Sequence, residues 1–243
     1  MPRNTAVRPD GGGVSITAQA IVDDTVASLT PRGQRTRAAL VSAAAQVFAR
    51  DGFIDARIAD IAAAANVAHG TFYTYFPSKE EAFKEVILEV QRNMSELEQD
   101  VPPAAGSAPW DLVEHSNLRY IRAYRRNAAL MATLEQVATF NDEVRQLRLD
   151  LRRLFVQRNA RAIERWQKAG VADPDLDPIY AANALGTMVD RFAYTWFVLG
   201  EDFDEARAVE TLTRVWLQAL GIEHDRHSSQ AGGRRKNSTG LGS

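Results

Sequence analysis

The stretch NVAHGTFYTYFPSKEEAF, residues 66–83, decides the fold and combines aromatic rings with hydroxyl groups in a short space. If it is helical, Phe72 and Phe76 are four residues apart and share one face, whereas Tyr73 and Tyr75 lie on other faces. One side of such a helix is apolar and the rest carries groups that form hydrogen bonds. The pattern therefore predicts a short helix that packs by one face and offers hydroxyls on the others.

The polar side chains of this helix are typical of a helix that lies in a DNA groove. His69 stands one turn before Tyr73, and Thr71 stands one turn before Tyr75. A helix in the major groove needs such groups for base edges and phosphate oxygens, and Gly70 lets a backbone approach closely. Two alternatives stay open: His69 is only an exposed helix residue, or the tyrosines pack against the rest of the protein.

The residues after this helix favour a second helix that starts near an anion. Pro77 ends the first helix because it lacks the amide donor. Ser78 can cap the next helix, and Lys79 at its start can reach a phosphate that the helix N-terminus also attracts.

Two further helices are predicted before this stretch. RTRAALVSAAAQVFARDGF, residues 35–53, has apolar residues at helical spacing, and Gly52 sits where a helix end needs positive φ. A short helix with a buried stripe at Ile58 and Ile61 follows, and it breaks near Asn66. Two short helices joined by a tight turn predict a helix-turn-helix.

IADIAAAANVAHGTFYTYFPSKEEAF, residues 58–83, resembles the DNA-binding head of TetR-type transcriptional regulators, and the match begins at about Arg35. In that family a helix-turn-helix of this spacing ends in an aromatic pair, a Ser-Lys and an acidic pair. The resemblance implies groove contacts from His69, Gly70, Thr71 and Tyr73, backbone contacts from Tyr75 and Lys79, and core positions for Phe72 and Phe76.

The sequence departs from the family pattern at two helix starts. Ala56 and Arg57 stand where the family has Thr or Ser, and Ala68 stands where it has Ser. Each missing cap costs on the order of 1 kcal/mol unless a neighbour replaces it. Asp55 is expected to cap the first of these helices, Asn66 is the only candidate for the second, and Arg57 supplies a longer-range phosphate contact.

Charge gives weak support for nucleic-acid binding. The chain has 243 residues and a formal net charge of -2, but residues 32–79 hold six Lys or Arg against three Asp, a local charge of +3. Four glutamates follow within ten residues. Two interpretations are open for the arginines at the start of the first helix, which are Arg32, Arg35 and Arg37. They form an ordinary solvated face, or at least one of them contacts a phosphate, and Arg35 is the candidate for that contact.

Composition excludes several classes of protein. The chain has no cysteine, no secretory apolar core and no apolar run long enough to span a membrane, so we expect a cytoplasmic protein that does not bind membranes.

Residues 1–30 and 222–243 are rich in Gly, Ser and Pro or poor in apolar periodicity. Both ends are predicted to be disordered.

The spacing predicts an all-α fold with a DNA-binding head at 31–80 and an effector-binding and dimerisation body at 81–221. Prolines in DVPPAAGSAP, residues 100–109, separate the body helices from the fourth helix. The predicted helices lie at about 33–50, 57–64, 68–75, 78–99, 110–125, 128–138, 141–169, 177–199 and 204–220.

The last two helices are apolar nearly all round, which predicts a dimer. One small body does not easily cover both, whereas a four-helix bundle formed with a second copy does, and the family is similar in this respect. The alternative is a monomer interior. The predicted interface residues are Leu185, Met188, Phe192, Trp196, Leu212, Trp216 and Leu220.

Aromatic residues and polar stripes in the body predict a ligand pocket. Any one of these residues is more often core, but rings with polar tips are how apolar pockets orient ligands. The resemblance implies a cavity for a small effector, and an aromatic lining suits a hydrophobic, acyl-type molecule. The predicted lining residues are Asn117, Tyr120, Tyr124, Met131, Phe155, Asn183, Thr187 and Tyr194.

No catalytic or metal constellation is found in the sequence. His115 has Asp111 one turn away but no second His or Cys nearby, and glycine-rich phosphate loops and serine elbows are absent. We therefore expect no enzyme and no cofactor. The expected function is that of a transcriptional repressor that binds a palindromic double-stranded DNA operator as a homodimer. Binding of an effector is expected to release the homodimer from the DNA. The alternative is a helical scaffold whose head binds another protein.

Overall fold

A computed structural model describes residues 29–97 and 107–223 of the chain. Within these ranges the chain forms nine α-helices and no β-strand, which confirms the all-α prediction. Most of the two predicted tails and of the proline-rich linker lies outside the described residues. Within these residues, Thr30 caps the first helix and Ile222 is buried, so the predicted tails extend too far into the fold at these two positions. The helices are α1 Pro31–Asp55, α2 Ile58–Ala64, α3 His69–Tyr75, α4 Lys79–Leu97, α5 Pro109–Arg126, α6 Ala128–Val137, α7 Asp142–Lys168, α8 Pro178–Phe197 and α9 Glu205–Ala219.

Polar side chains immediately before the long helices cap their first turns. Thr30 Oγ1 accepts a hydrogen bond from the Gly33 amide at 3.2 Å, and Pro31 occupies the first turn of α1. The Asp177 carboxylate accepts from two amides at the start of α8. Because these groups satisfy amides that lack a helical partner, they fix where each helix begins.

α1 runs further than predicted because Gly52 bends it without ending it. Gly52 has φ 71°, as predicted, but the helical hydrogen-bond pattern resumes to Asp55. The bend turns Phe53 into the core, where its ring lies 5.8 Å from Phe48 and 5.3 Å from Phe83. These rings join the end of α1 to α4.

The apolar interior forms two clusters, and the first does not end with the predicted head. It contains α1 to α4, most of α6 and the first turn of α7, so Phe72 and Phe76 share it with Leu134 and Val144. The predicted boundary at residue 80 therefore does not separate two cores. α4 packs directly against the helices of the head.

The second cluster joins α5, α7, α8 and α9 and corrects the predicted dimer interface. Five of the seven predicted residues are buried within a single chain, and Met188 and Phe192 are partly buried in the same cluster. The prediction was wrong because α7 covers α8 and α5 covers α9. The five buried residues are Leu185, Trp196, Leu212, Trp216 and Leu220.

Candidate nucleic-acid interface and ligand cavities

α3 divides its rings between the core and the surface. Phe72 is fully buried and Phe76 is 3% exposed, whereas Tyr73 is 52% exposed. His69 is also exposed, and its ring meets the edge of Tyr73 at 5.7 Å between centroids. Burial of a Phe side chain contributes about 1.5–3 kcal/mol, so the two phenylalanines hold α3 in place. Its polar side chains are left on the outside.

Gly70 is not needed for packing within the protein. A Cβ built at this position meets no atom within 4 Å, and the residue has no left-handed backbone. The space in front of it is open. The absence of a side chain therefore matters only to something that approaches α3 from outside.

The turn between α2 and α3 forms without the predicted caps. Neither Arg57 before α2 nor Ala68 before α3 makes a side-chain cap hydrogen bond, so the expected role of Asp55 was wrong. Asn66 instead adopts φ 54°, and the Val67 amide bonds to the Ala62 carbonyl at 3.0 Å. The backbone geometry of Asn66 closes this turn.

Tyr75 is half-buried and reaches the start of α1. Its ring packs against the first core cluster, and its hydroxyl lies 3.6 Å from the position of a Cβ built on Gly33. A Cβ at position 33 would make ordinary van der Waals contacts with Thr30 and Tyr75. The hydroxyl therefore sits beside the first turn of a 25-residue helix, whose amides favour anions.

Lys79 does not have the free ammonium group that the sequence suggests. Its Nζ donates to the carbonyl oxygens of Phe53, Ile54 and Ala56 at 2.7, 3.2 and 3.0 Å, and it lies 4.6 Å from the centroid of the Phe53 ring. An ammonium group has three donors, and all three are used here. The predicted phosphate contact of Lys79 is corrected to a cap on the end of α1.

Arg37 is also held inside the protein, at the junction of the head and α4. Its guanidinium lies 2.9 Å from the carboxylate of Glu85, which is only 3% exposed, and 5.2 Å from the centroid of the Phe76 ring. Glu85 also pairs with Arg92 at 3.1 Å. Arg37 thus links α1, α3 and α4 and is not part of a solvated face.

Two other predicted arginines stay on the surface. Arg35 is exposed on the first turns of α1, with its Nε donating to the Pro31 carbonyl at 3.3 Å. Arg57 is exposed immediately before α2. Thr71, between His69 and Tyr73 on α3, is partly exposed. These side chains therefore remain accessible to solvent.

A cavity of about 310 Å³ lies between α4, α5, α6, α7 and α8, and we name it the apolar cavity. Predicted residues Tyr120, Met131 and Phe155 line it. Sequence analysis missed most of its wall, because the aliphatic residues of α4 carry no signal that distinguishes a cavity from core. Further lining residues include Ile87, Val90, Met94, Leu134, Leu151 and Leu154.

A second cavity, of about 210 Å³, lies between α5, α7, α8 and α9, and we name it the arginine cavity. Its charged lining residues are Arg158 and Arg165, and the predicted Asn117 also lines it. Tyr120 and Phe155 border both cavities. The two cavities therefore share a wall of aromatic rings.

Four predicted pocket residues lie elsewhere. Tyr124 is 1% exposed and belongs to the core, where burial raises its pKa well above the usual value of a tyrosine. Asn183 and Thr187 are exposed and accept hydrogen bonds from Arg152. Tyr194, which lines neither of the two cavities, has the Arg191 guanidinium 4.6 Å from its ring centroid.

Ion pairs fill the polar side of the apolar cavity. The Tyr120 hydroxyl donates to Asp190 at 2.7 Å, and Arg148 donates to Glu135 at 2.6 Å. Burial, and after it the charge of Asp190, raises the pKa of Tyr120. Burial opposes the charge of Arg148, but the carboxylate of Glu135 raises its pKa. Each acid here thus has a partner within the protein.

The described residues contain no cluster of three His, Cys, Asp or Glu side chains that could hold a metal. In the same part of the chain, no helix has the length and apolar character that a membrane span requires.

Two family models match the chain. The model of bacterial regulatory proteins of the tetR family matches residues 40–86, and the model of the C-terminal domain of the transcriptional regulator EthR matches residues 115–221. Together these matches cover more than half of the chain, and they include both the helix-turn-helix and the helices that surround the cavities.

Relatives and solved structures agree with the two models. The HTH-type regulator YdgC of Bacillus subtilis is 26% identical over 170 residues, which are 70% of this chain and 85% of the relative. EthR of Mycobacterium tuberculosis is 22% identical over 201 residues, 78% of this chain and 93% of the relative. A probable acrEF/envCD operon repressor of Escherichia coli is 32% identical over 114 residues, 45% of this chain and 51% of the relative.

Among solved structures, a TetR-family regulator from Rhodococcus sp. has a TM-score of 0.65 at 20% identity, covering 76% of this chain and 98% of its own. The fatty acid degradation regulator FadR of Bacillus halodurans has a TM-score of 0.64 at 20% identity, covering 75% and 98%. The helix-turn-helix, the body and both family matches together show that the chain belongs to the TetR family of DNA-binding transcriptional regulators, which are not enzymes.

Proposed function

We propose that this protein is a ligand-responsive repressor that binds a palindromic DNA operator as a homodimer and leaves it when a small hydrophobic molecule binds. The observation that carries the DNA-binding part is the division of α3. Its two phenylalanines are buried, whereas His69 and Tyr73 face outward beside an unobstructed Gly70. This arrangement supplies donors and acceptors at the depth of a major groove.

In the proposed complex the exposed residues divide the work. His69, Thr71 and Tyr73 contact base edges and nearby phosphates, and Gly70 lets the DNA backbone approach α3. Tyr75 and the arginines Arg35 and Arg57 hold the phosphate backbone, because they lie at or near the starts of α1 and α2. Lys79 is not part of this set, since its donors are already used.

The homodimer is proposed to form through the outer faces of α8 and α9, opposite the faces that the chain buries itself. Tyr180 at the start of α8 is 78% exposed, and Val215 on α9 is 41% exposed. A twofold interface buries the same patch on both copies. Two heads held in this way can enter successive major grooves about one helical turn apart.

The apolar cavity is the proposed effector site. Its volume lies at the lower end of the range for ligand pockets, and its walls are mainly aliphatic and aromatic. Such a lining favours a hydrophobic, acyl-type molecule. The name of the Escherichia coli relative, an operon repressor, supports repression as the direction of regulation.

α4 provides a physical route from this cavity to the head. Ile87 and Val90 line the cavity, while Glu85, on the same helix, holds Arg37 of α1. Arg37 in turn lies over the ring of Phe76 at the end of α3. A ligand that prefers a displaced α4 therefore changes the spacing of the two heads. It lowers operator affinity by at most the ratio of its affinities for the two arrangements.

Selection from a random duplex pool tests this proposal. We expect a palindromic site whose half-sites are about one helical turn apart, and an affinity that falls steeply with salt because phosphate contacts release counterions. Retention of single half-sites by a monomer would contradict the dimer. Failure to retain any duplex would contradict the roles given to α3.

A further inference from the structure

An aromatic ring on α7 stands at the border between the apolar cavity and the arginine cavity. Phe155 lines both cavities, and so do its neighbours Tyr120 and Arg158. The Tyr120 hydroxyl is held in place because it donates a hydrogen bond to Asp190 at 2.7 Å. Phe155 forms no such bond, since its side chain has no polar atom. Its ring is therefore the part of the shared wall that moves without breaking a hydrogen bond of its own.

The backbone of α8 provides the seat of this ring. A Cβ built on Gly186 would lie 2.9 Å from Cε1 of Phe155, closer than side-chain atoms pack. The ring therefore occupies space that a Cβ at position 186 would take. It also lies 6.0 Å from the Tyr120 ring and 5.1 Å from the guanidinium carbon of Arg158. Contacts of these two kinds are weak enough for a bound ligand to replace them.

The volumes of the two cavities set the length of chain that each can hold. If a carbon group takes roughly the 30 Å³ that a water molecule takes in the liquid, the apolar cavity of about 310 Å³ holds about ten carbons. By the same measure the arginine cavity of about 210 Å³ holds about seven more. The apolar cavity alone lies at the lower end of the range for ligand pockets, whereas the two joined lie well within it.

The lining of the arginine cavity suits the end of an apolar chain. Most of its lining residues are apolar, and they come from α5, α7, α8 and α9. Several of them belong to the second core cluster, so a chain that passes Phe155 ends against the core of the body. Apart from the shared rings, the apolar lining residues are Leu112, Val113, Ala162, Trp166, Val189 and Trp216.

We propose that Phe155 is a movable partition that determines which chain lengths use the arginine cavity. A chain of up to about ten carbons occupies the apolar cavity alone. A longer unbranched chain displaces the ring from its seat on Gly186 and continues into the arginine cavity. The proposal rests on the proposed function in taking the apolar cavity as the effector site, but the movement of the ring is tested by binding alone, without DNA.

Tryptophan fluorescence of the full chain reports entry into the arginine cavity. Trp166 and Trp216 line this cavity, whereas none of the described residues that line the apolar cavity is a tryptophan. The probes are the uncharged alcohols 1-octanol and 1-tetradecanol, each below its solubility limit. Tetradecanol should shift the emission to shorter wavelength, because the chain excludes water from the partly exposed Trp166, and octanol should not.

Trp166→Phe should remove most of this shift without changing the affinity for octanol. Equilibrium dialysis of the labelled alcohols measures the affinities. Equal shifts from the two alcohols, or no shift from bound tetradecanol, would overturn the proposal. Failure of either alcohol to bind the unchanged protein would overturn it as well.

A filling substitution in the arginine cavity separates long chains from short ones. Ala162→Leu should weaken tetradecanol binding by at least about tenfold and change octanol binding by less than about twofold, because each displaced carbon is worth about fourfold on burial. Gln157→Leu is the matched control, since Gln157 is exposed on the same helix and lines neither cavity. Equal effects of Ala162→Leu on the two alcohols, or no effect on tetradecanol, would overturn the proposal.

Removal of the ring tests the partition itself. Phe155→Ala should raise the ratio of tetradecanol affinity to octanol affinity by about fivefold, because the long chain no longer has to displace the ring from its contacts. A ratio that is unchanged or lower would overturn the role given to Phe155.

Operator release, measured by fluorescence anisotropy, separates this proposal from the proposed function. If tetradecanol enters the arginine cavity but neither alcohol releases DNA, the partition stands and the effector response fails. If octanol releases DNA while tetradecanol never reaches the arginine cavity, the response stands and the partition fails.

Discussion

The basic residues of the head fall into two groups with opposite surroundings. Arg35 and Arg57 are exposed near the starts of α1 and α2. Lys79 and Arg37 direct their charge inward, Lys79 to three carbonyl oxygens and Arg37 to the buried carboxylate of Glu85. The sequence therefore predicts which helix carries a basic residue. Whether the charge of that residue is available to DNA depends on the hydrogen-bond acceptors that lie next to it in the folded protein.

The contrast between a buried and an exposed side chain recurs on α9, where we expect substitution to have its largest effect on stability. Trp216 is 6% exposed and Val215, its neighbour, is 41% exposed. Trp216→Ala is expected to lower the free energy of unfolding by about 3–5 kcal/mol, because it leaves a cavity in the second core. Val215→Asp is expected to change it by less than about 0.5 kcal/mol per chain once dimerisation is accounted for.

Urea denaturation at one fixed protein concentration measures the first effect, and sedimentation velocity measures the second. Val215→Asp should shift the protein toward monomer. If Trp216→Ala has the same free energy of unfolding as the unchanged protein, the face of α9 that carries Trp216 is not buried in the core. If Val215→Asp dimerises as the unchanged protein does, the face that carries Val215 is not the dimer interface.

Arg37→Ala is expected to have the next largest effect. It leaves the buried carboxylate of Glu85 with Arg92 as its remaining partner, so the free energy of unfolding should fall by about 2–3 kcal/mol. Arg35→Ala, two residues earlier and exposed, is the control and should change stability by less than about 0.5 kcal/mol. If the two variants have equal free energies of unfolding, Arg37 behaves like the exposed arginines and its ion pair with Glu85 does not stabilise the fold.

Lys79→Ala sharpens the comparison within the helix-turn-helix. The variant loses three hydrogen bonds to the end of α1 and the contact with the Phe53 ring, so we expect a loss of about 1–2 kcal/mol in the free energy of unfolding. The slope of log affinity against log salt should stay unchanged. Arg57→Ala, in contrast, should reduce the magnitude of that slope by about 1.8 for the dimer, because each of the two heads loses one phosphate contact, worth about 0.9.

The outcome for Lys79 is decided by comparing denaturation curves with salt titrations of operator binding. If Lys79→Ala retains full stability while its salt slope falls, its ammonium contacts DNA and the inward assignment is wrong.

Tyr73→Phe has the smallest expected effect and bears on the exposed side of α3. Removing one hydroxyl from each head should weaken operator binding by about 0.5 kcal/mol per half-site, which is about 1 kcal/mol or roughly fivefold for the dimer, and leave stability and dimerisation unchanged. Equal operator affinities of Tyr73→Phe and the unchanged protein would remove this hydroxyl from the contact set.

The sequence predicted the helices well because their signals are local. Periodicity, the proline at the start of α8 and the glycine near the end of α1 each act within one or two turns. The division of rings on α3 was predictable for the same reason, since Phe72 and Phe76 are separated by one turn. The positive φ of Gly52 was also confirmed.

Contacts between distant segments could not be predicted in the same way. The partners of Lys79 come from residues more than twenty positions earlier, and Trp216 is covered by helices whose arrangement the sequence pattern does not give. The two cavities form only after the helices that surround them have packed. These features belong to tertiary structure, where local patterns carry no information.

Operator selection repeated with His69→Ala tests the central claim, that the exterior of α3 contacts the bases. His69 is exposed at the first turn of α3, so its removal should leave the fold intact. We predict that the variant loses base preference at one position in each half-site, related by the twofold axis, while the other positions keep theirs. An unchanged site with unchanged affinity would contradict the account.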